Sequence, residues 1–405
     1  MTNTASANTA SVNTAPAHAA ASGNRKWAIG FTSVVAFFFI LNKFLLPEAP
    51  RGLQTFFNNW FSLTSMAEIM IWILMALGLN IIVGYAGLLD LGYVAFWALG
   101  GYVAGWLMSP FFSGLSINFF GNPREGYEFG IHFHVFLVLI LGGVFTAIWG
   151  IIIGGPTLRL KSDYLALVTL GFGEIIPQFM INGADIGGLN VTNGSQGIGG
   201  LDDVNLFGYV IGTFALPEKF LMVSLMAGAM IFFSIRLRDG RLGRAWLAIR
   251  EDELAASMMG VPLWRTKFAS YAIGAVGGGI GGVGFAILVG GVYADRFNFV
   301  ISIIILAMVV LGGMGNVWGV VVGAVVLAWI NSIGLVQVGD LVNNTFGTDI
   351  NFPSYQFLLF GLLLVLMMLF RREGFIPEAR IRMVMNEDKT EDQEKVSDET
   401  KIAGK

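Results

Sequence analysis

The sequence predicts an all-α polytopic membrane protein with about ten transmembrane helices, some of them broken or re-entrant. Of its 405 residues, 55% are hydrophobic and 13% are charged, whereas a soluble domain carries about 25% charged residues. The apolar residues cluster into runs of about 20, the length that a helix needs to cross a bilayer. Because these runs are continuous and do not alternate with polar residues, they favour helices over a transmembrane barrel.

The chain divides into a membrane domain and two polar tails. Residues 1–24 carry no charge and are of low complexity, and residues 386–405 are rich in charge, so both are expected to be disordered. The domain between them, residues 25–385, contains the candidate spans 27–46, 66–84, 86–108, 134–154, 163–182, 217–235, 267–291, 298–314, 317–337 and 354–370.

The connection between the second and third candidate spans is the glycine-rich stretch GYAGLLDLGY, residues 84–93. Glycine is frequent where membrane helices pack closely or are interrupted. This stretch therefore predicts a broken or re-entrant element and makes the number of spans approximate.

The distribution of lysine and arginine predicts which segments face the cytoplasm. Cytoplasmic segments are enriched in these residues. With the N-terminus inside, the inner segments hold Arg25, Lys26, Arg159, Lys161, the group from Arg236 to Lys267, Arg371, Arg372, Arg380 and Arg382. The outer segments hold only Lys43, Arg51, Arg124, Lys219 and Arg296. Both tails are thus expected to be cytoplasmic, in a multi-pass protein of the bacterial cytoplasmic (inner) membrane.

Metal and thiol chemistry find little support in the sequence. The chain has no cysteine and three histidines, which excludes disulfides and cysteine metal sites. His132 and His134 form an H-x-H pair beside a predicted span, and we interpret them as part of an interfacial loop. No metal site is predicted, and no nucleophile and base set suggests an enzyme.

The stretch GRLGRAWLAIREDELAASMMGVPLWRTKF, residues 240–268, is a dense group of charges between long apolar segments. As a single helix over Gly243–Met259, it would place Trp246, Ile249, Glu253 and Ala256 along one side. Gly260 would end the helix, and the following proline would prevent its continuation. The pattern suits a docking surface or a solvated connecting loop equally well.

Here the chain resembles a family. The segment GRAWLAIREDELAASMMG is similar to the cytoplasmic coupling loop of ABC importer permeases of the branched-chain amino-acid type. Four further blocks resemble the M-type permease subunit: GLNIIVGYAGLLDLGYVAFWALGGY (78–102), LRLKSDYLALVTLGFGEII (158–176), MVVLGGMGNVWGVVVGA (308–324) and LLVLMMLFRREGFIPE (363–378). The resemblance covers residues 66–380.

The resemblance implies that the loop, residues 236–267, docks an ATPase subunit through a cytoplasmic coupling helix. The family motif reads Glu-Ala-Ala, three residues, Gly; here Leu254 stands at the position of the glutamate, and Glu253 lies one position earlier. Whether Glu253 takes over its role stays open. The residues expected to couple to the ATPase are Arg244, Trp246, Arg250, Glu251, Asp252, Glu253, Ala255, Ala256 and Gly260.

The resemblance also implies the partners and the energy source. The chain contains no G-x-x-x-x-G-K-[ST] phosphate loop, so no cofactor is expected on it, and ATP and Mg²⁺ are expected on separate ABC ATPase subunits. A homologous second permease, an extracytoplasmic solute-binding protein and membrane lipid are the other expected partners, and no nucleic acid is expected. The segment YADRFNF, residues 293–299, lacks the Ser-Pro pair of this family.

Two glycine-rich segments, GYAGLLDLGY and LVTLGFGEIIP, are predicted breaks whose helix ends can meet the charges of a zwitterion. Glu174 lies inside a predicted span, where a carboxylate is costly. It is either functional, or it is neutral or hydrogen-bonded to the kinked backbone before Pro177. Asp90 either lines the pathway or caps a helix. The predicted pathway residues are Tyr85, Gly87, Asp90, Gly92, Thr169, Gly171, Gly173 and Glu174.

The function indicated by the resemblance is ATP-driven import of branched-chain amino acids by alternating access. Urea, short amides or other amino acids are alternative solutes of similar permeases. An ion-coupled secondary transporter is a further alternative, but such proteins usually need several intramembrane carboxylates.

Overall fold

The first helix forms a unit of its own. The computed structural model describes residues 15–124, 126–157, 162–206, 208–212, 215–371 and 374–376, and the chain divides into two units after Ala49. In the first unit, α1 (Ala15–Ile40) continues into a π-helical turn, Leu41–Leu45. Residues 15–24, which the sequence analysis assigned to a disordered tail, are thus part of α1. The alanine-rich stretch explains this difference, since alanine has the highest helix propensity. Residues 1–14 and the predicted tail 386–405 lie outside the described residues.

The second unit is a helical bundle. Its helices are α2 (Arg51–Trp60), α3 (Leu63–Leu79), α4 (Val94–Leu107), α5 (Val135–Thr157), α6 (Ser162–Asn182), α7 (Leu216–Asp239), α8 (Arg241–Glu251), α9 (Glu253–Met258), α10 (Leu263–Val289), α11 (Phe299–Gly312), α12 (Val317–Trp329), α13 (Leu335–Phe346) and α14 (Gln356–Phe370). The amphipathic helix α2 was not predicted, because its ten residues are too short and too polar to read as a span.

The predicted number of about ten membrane helices is confirmed. Within the described residues, seven helices are long and apolar enough to cross a membrane, and three shorter apolar helices accompany them. Two of the short ones, α4 and α11, have 14 residues each and so reach only about 21 Å, less than the ~30 Å hydrocarbon core.

The glycine-rich helix α10 lies at the centre of this unit and packs against α3, α4 and α5. Its glycines let neighbouring backbones approach closely: a Cβ atom at Gly277 would lie 2.7 Å from the Cα atom of Gly78 on α3. A Cβ atom at Gly282 would clash with the carbonyl oxygen of Trp97 on α4. Small residues at such crossings allow membrane helices to gain van der Waals contact, which explains why α10 is so rich in glycine.

The predicted break between the second and third spans is present. Helix α3 ends in a π-helical segment, Asn80–Tyr85, and residues 86–93 are not helical before α4 begins at Val94. The buried Asn80 side chain accepts a hydrogen bond from the backbone N–H of Gly315, 2.9 Å away, in the turn between α11 and α12. This bond anchors the interrupted helix to a second turn of the bundle.

The second predicted break, in LVTLGFGEIIP, is wrong. Helix α6 runs continuously through this segment and includes Pro177. Proline removes one backbone hydrogen bond, but membrane helices tolerate it because neighbouring groups satisfy the freed carbonyl.

Small sheets connect the loops at the end of the bundle away from α8 and α9. The strands are β1 (Met108–Ser109), β2 (Ser116–Phe119), β3 (Gly130–Phe133), β4 (Ile198–Gly199), β5 (Val204–Leu206), β6 (Tyr209–Ile211) and β7 (Gly291–Val292). β3 pairs antiparallel with β1 and parallel with β2, β4 pairs with β7, and β5 pairs with β6.

A buried histidine–aspartate contact lies at this end of the bundle. His132 on β3 is buried, and its Nδ1 atom lies 2.9 Å from Oδ1 of Asp202. Its Nε2 atom lies 3.2 Å from the carbonyl oxygen of Phe129. Both ring nitrogens of His132 therefore lie within hydrogen-bonding distance of an oxygen atom. Burial raises the pKa of Asp202 to about 6, against the lowering effect of His132. His132 is therefore a structural residue of the loops.

Candidate coupling and transport site

The predicted helix Gly243–Met259 is two helices, α8 and α9. Asp252 separates them in an extended conformation, and its side chain caps α9 by accepting from the backbone N–H groups of Leu254 and Ala255, at 2.8 and 3.0 Å. Aspartate is among the best N-capping residues, and this cap outweighs the continuous apolar spacing. The predicted ends are confirmed, because Gly260 follows α9 with a φ of +83° and Pro262 precedes α10.

Trp246 on α8 is fully buried within its own chain. Its indole N–H donates to the carbonyl oxygen of Thr266 on α10 at 2.7 Å, and its ring stacks on Tyr85 with centroids 6.4 Å apart. The Tyr85 hydroxyl in turn lies 3.4 Å from the carbonyl oxygen of Ser234 on α7. The predicted anchor therefore fixes α8 to the membrane domain, and Tyr85, predicted in the pathway, is part of that anchor.

Arg250 joins α8 to the interrupted helix. Its guanidinium donates a short hydrogen bond to the carbonyl oxygen of Gly84, at the end of the π-helical segment. The stem of Arg250 packs on Gly87, where φ is +69° and a Cβ atom would lie 2.9 Å from Cγ of Arg250. The left-handed conformation and the close approach both favour glycine at this position. The two segments singled out by sequence, the charged loop and GYAGLLDLGY, are thus in direct contact.

Glu253 forms an ion pair with its own chain. Its Oε1 atom lies 2.6 Å from Nζ of Lys267 in α10, and the lysine side chain is 10% exposed. The pair ties the start of α9 to the first turns of α10. Lys267 was missed as a partner because 14 residues separate the two side chains in sequence.

The exposed face of α9 is apolar. Leu254, Met258 and Met259 are 68%, 80% and 85% exposed, and we call these three residues the α9 surface. Ala255 is also exposed, whereas Ala256 is buried. The expected continuous face with Trp246, Glu253 and Ala256 is therefore wrong, because the break at Asp252 turns the two helices separately.

The other predicted coupling residues, Arg244, Glu251 and Asp252, are exposed. Arg244 is exposed and donates to the carbonyl oxygen of Asp239 at the end of α7, 2.9 Å away. Glu251 and Asp252 are exposed beside the start of α9. Glu251 and Asp252 therefore place polar groups beside the first turn of α9, whereas Arg244 lies at the junction of α7 and α8.

The predicted pathway residues Asp90, Gly92, Thr169 and Gly173 come together at one junction. The Thr169 hydroxyl on α6 accepts from the N–H of Leu91 at 3.1 Å, and the Asp90 carboxylate accepts from the N–H of Gly92 at 2.8 Å. A Cβ atom at Gly173 would lie 2.9 Å from the Cα atom of Gly92, and one at Gly92 would clash with the carbonyl oxygen of Thr169. The break before α4 is therefore locked onto α6.

Asp90 is the most unusual member of this junction. It is 1% exposed, and its Oδ2 atom has no hydrogen-bond partner among the described residues. A buried polar atom without a partner is costly. Of the two alternatives for Asp90, the bond to Gly92 favours a backbone-holding role, although α4 itself begins two residues later, at Val94.

Glu174 and Gly171 lie on the other side of α6. Glu174 is exposed, as are Leu167 (65%) and Ile175 (59%), and a Cβ atom at Gly171 would meet nothing within 4 Å. Within the described residues, Glu174 has no hydrogen bond or ion pair. Its carboxylate therefore projects from an apolar face that the chain leaves uncovered, and the alternative in which it bonds to a kink is not observed.

Comparison with known proteins extends these observations. The family described as "Branched-chain amino acid transport system / permease component" matches residues 61–368. The chain is 34% identical over 332 residues to the high-affinity branched-chain amino acid transport system permease protein LivM of Salmonella typhimurium, covering 77% of this chain and 69% of the relative. The Escherichia coli protein of the same name is 33% identical, with the same coverage.

A more distant relative is the probable branched-chain amino acid transport permease protein LivM of Methanocaldococcus jannaschii, which is 27% identical over 79% of this chain and 95% of the relative. No solved structure matches the chain. The family match extends from the start of α3 to the last helix and includes the coupling segment, the break and α6. The chain therefore belongs to the family of branched-chain amino acid transport system permease components.

Proposed function

We propose that this chain is a transmembrane permease subunit of an ATP-driven ABC importer that moves branched-chain amino acids into the cytoplasm by alternating access. The observation that carries the proposal is the direct contact of α8 with the interrupted helix. Arg250 bonds to Gly84, and Trp246 stacks on Tyr85. A force applied to α8 and α9 is thereby transmitted to a break inside the bundle.

The α9 surface is the proposed dock for an ABC ATPase subunit. It presents three large apolar side chains on a polar loop, where water alone would disfavour them. The loop is held rigidly to the bundle by Trp246 and by the Glu253–Lys267 pair. ATP and Mg²⁺ bind to the partner subunits in this proposal, and this chain transmits their movement through α8 and α9 to the break in the bundle.

Movement of the break reaches α6 through the junction of Asp90, Gly92, Thr169 and Gly173. Close backbone contact between Gly92 and Gly173 makes the start of α4 and α6 move together. Packed elements of this kind shift as rigid bodies between two arrangements. Alternate opening of the two ends of the bundle follows from such a shift.

The exposed face of α6 is the proposed boundary with a homologous second permease. Because Glu174 projects there beside apolar side chains, burial against a second subunit would enclose a carboxylate next to the solute route. Intramembrane carboxylates commonly mark such routes. Other exposed apolar side chains, among them Ile140, Leu225 and Phe232, would contact membrane lipid.

The distribution of lysine and arginine supports a cytoplasmic position for α8, α9 and both tails, in a bacterial inner membrane. The loops that contain β1 to β7 then face outward. They are the proposed contact for an extracytoplasmic solute-binding protein, which would deliver the amino acid.

The docking proposal is tested with Leu254→Asp and Met258→Asp in the complete transporter, reconstituted with its ATPase subunits. We expect loss of ATPase binding and of leucine uptake, because a carboxylate would have to be desolvated in an apolar contact. Leu254→Met is the matched control, since it keeps an apolar side chain, and it should retain uptake. ATPase binding by both aspartate variants at the wild-type level would refute the assignment of the surface.

A further inference from the structure

A cavity of about 170 Å³ lies at the end of the bundle opposite α8 and α9. Its wall contains Glu68 and Trp72 of α3, Trp97 of α4, Phe285 of α10, Arg296 of the turn before α11, and Asn331 of the segment after α12. Glu68 and Tyr85 are both on the α3 span, so the cavity lies about 25 Å along the helix from the α8 contact. The predicted coupling and pathway residues take no part in it.

The cavity contains two hydrogen-bond acceptors and two donors. Glu68 supplies a carboxylate, and Oδ1 of Asn331 is buried with no hydrogen-bond partner among the described residues. On the donor side are Arg296, which is an exposed residue, and the indole N–H of Trp97, which also lacks a partner within the described residues. Trp97 is only 3% exposed, so its unsatisfied N–H is a costly feature for which a ligand would compensate.

Glu68 and Arg296 do not pair with each other. Both residues line the cavity, but within the described residues no ion pair of 4.0 Å or less joins them. Two opposite charges that line one cavity without closing on each other leave room for a molecule with one charge of each sign.

The remaining wall is apolar and aromatic. Trp97 packs edge-on against Phe285, with ring centroids 4.9 Å apart, and Trp72 lies beside Trp97. The volume is below the ~300 Å³ at which pockets for drug-sized ligands begin. The cavity therefore suits a small ligand with an apolar part.

We propose that this cavity binds an α-amino acid with an apolar side chain. Glu68 and Asn331 accept hydrogen bonds from the ammonium group, Arg296 and Trp97 donate to the carboxylate, and the aromatic side chains enclose the apolar part. The proposal rests on the proposed transport function, and it adds an amino-acid site on this chain that is separate from the α6 face.

The position of the site gives it a place in the transport cycle. Helix α3 carries Glu68 near one end and leads to Gly84 and Tyr85 at the other, where α8 makes contact. A displacement of α3 by the coupling loop would change the separation of Glu68 from Arg296. A site of this kind would hold the amino acid before the coupling loop moves and release it afterwards.

The first test measures binding of tritiated L-leucine to the purified full chain in lipid nanodiscs by scintillation proximity. Two competitors are leucine analogues that each lack one charged group: 4-methylpentanoate lacks the ammonium group, and 3-methylbutylamine lacks the carboxylate. We expect unlabelled leucine to compete at least tenfold better than either, because each lacks one charged hydrogen-bonding group. Equal competition by all three would overturn the proposal.

The second test assigns the two charges. Glu68→Gln should weaken leucine and 3-methylbutylamine about tenfold and leave 4-methylpentanoate unchanged, and Arg296→Gln should show the opposite preference. Trp97→Phe keeps the ring and removes the N–H, so it should weaken only the ligands with a carboxylate. Asp349→Asn and Arg51→Gln, which are exposed and lie away from the cavity, are the matched controls and should bind as wild type.

A zwitterionic lipid headgroup, like a free amino acid, carries an ammonium group and an anionic group. The two possible occupants are distinguished by preparing nanodiscs with and without such a lipid. If a phosphatidylethanolamine headgroup is the occupant, leucine binding is absent in discs that contain this lipid, which overturns the proposal. Leucine binding that is unaffected by this lipid supports it. Melting temperatures of each variant within a few degrees of wild type establish that lost binding is not lost folding.

Two different results distinguish a failure of the amino-acid site proposal from a failure of the proposed transport function. Wild-type leucine uptake by transporters carrying Glu68→Gln and Arg296→Gln would refute the cavity alone. If deletion of the whole chain leaves branched-chain amino acid uptake unchanged, the proposed function fails, whatever the cavity binds.

Discussion

Arg250→Met removes the guanidinium that bonds to the Gly84 carbonyl and keeps a stem that packs on Gly87. A hydrogen bond to a charged group contributes about 1.5–3 kcal/mol. Arg250 is only half-buried, so we take the lower value, which corresponds to about a tenfold change in an equilibrium. We therefore expect about a tenfold fall in leucine transported per ATP hydrolysed, with ATPase binding retained, because the α9 surface is unchanged.

The assay is a complete transporter in proteoliposomes, in which ATP hydrolysis and tritiated leucine uptake are measured on the same sample. Arg265→Met is the matched control, since Arg265 is exposed on the same loop and forms no hydrogen bond or ion pair within the described residues. A transport-to-hydrolysis ratio for Arg250→Met within twofold of wild type would refute the idea that this bond transmits the movement.

Three further predictions test the junction, the loop and the α6 face. Gly92→Ala should not yield a folded chain, because its Cβ atom would clash with the α6 backbone, whereas Gly171→Ala should keep or slightly raise the melting temperature. Glu253→Gln should increase hydrogen exchange in α9 by leaving the largely buried Lys267 unpaired, and adding Lys267→Met should restore protection; equal exchange in all three proteins would argue against the pair. Glu174→Gln should reduce leucine uptake and leave the melting temperature of the isolated chain unchanged, and unaltered uptake would assign the carboxylate no part in transport.

The membrane helices could be predicted from sequence because each apolar run is a local signal. Most of the ten candidate spans agree with the observed helices. The exceptions are the span 86–108, whose helix α4 begins only at Val94, the continuation of α13 to Phe346 and the earlier start of α1. The break at 84–93 was also predictable, since glycine clusters and Asp90 are local features. Pro177 shows the limit of such signals, because a proline can sit inside a membrane helix when its surroundings satisfy the backbone.

The site itself was predictable in part. The residues of the loop and of the break were identified from sequence. The contact between Arg250 and Gly84 was not predicted, because the two residues are 166 positions apart. Asp252 had the residue type of an N-cap, and this signal would have revealed the two helices. The cavity was hidden, because Glu68, Trp97, Arg296 and Asn331 come from four separate parts of the chain, and only the fold brings them together.

The most direct test of the proposed function is leucine accumulation in proteoliposomes that contain this chain, its second permease and the ATPase subunits, with the solute-binding protein added. We expect accumulation against a gradient with ATP and Mg²⁺, and none when ATP is replaced by a non-hydrolysable analogue. Accumulation by this chain alone, driven by a proton gradient without ATP, would contradict the proposal.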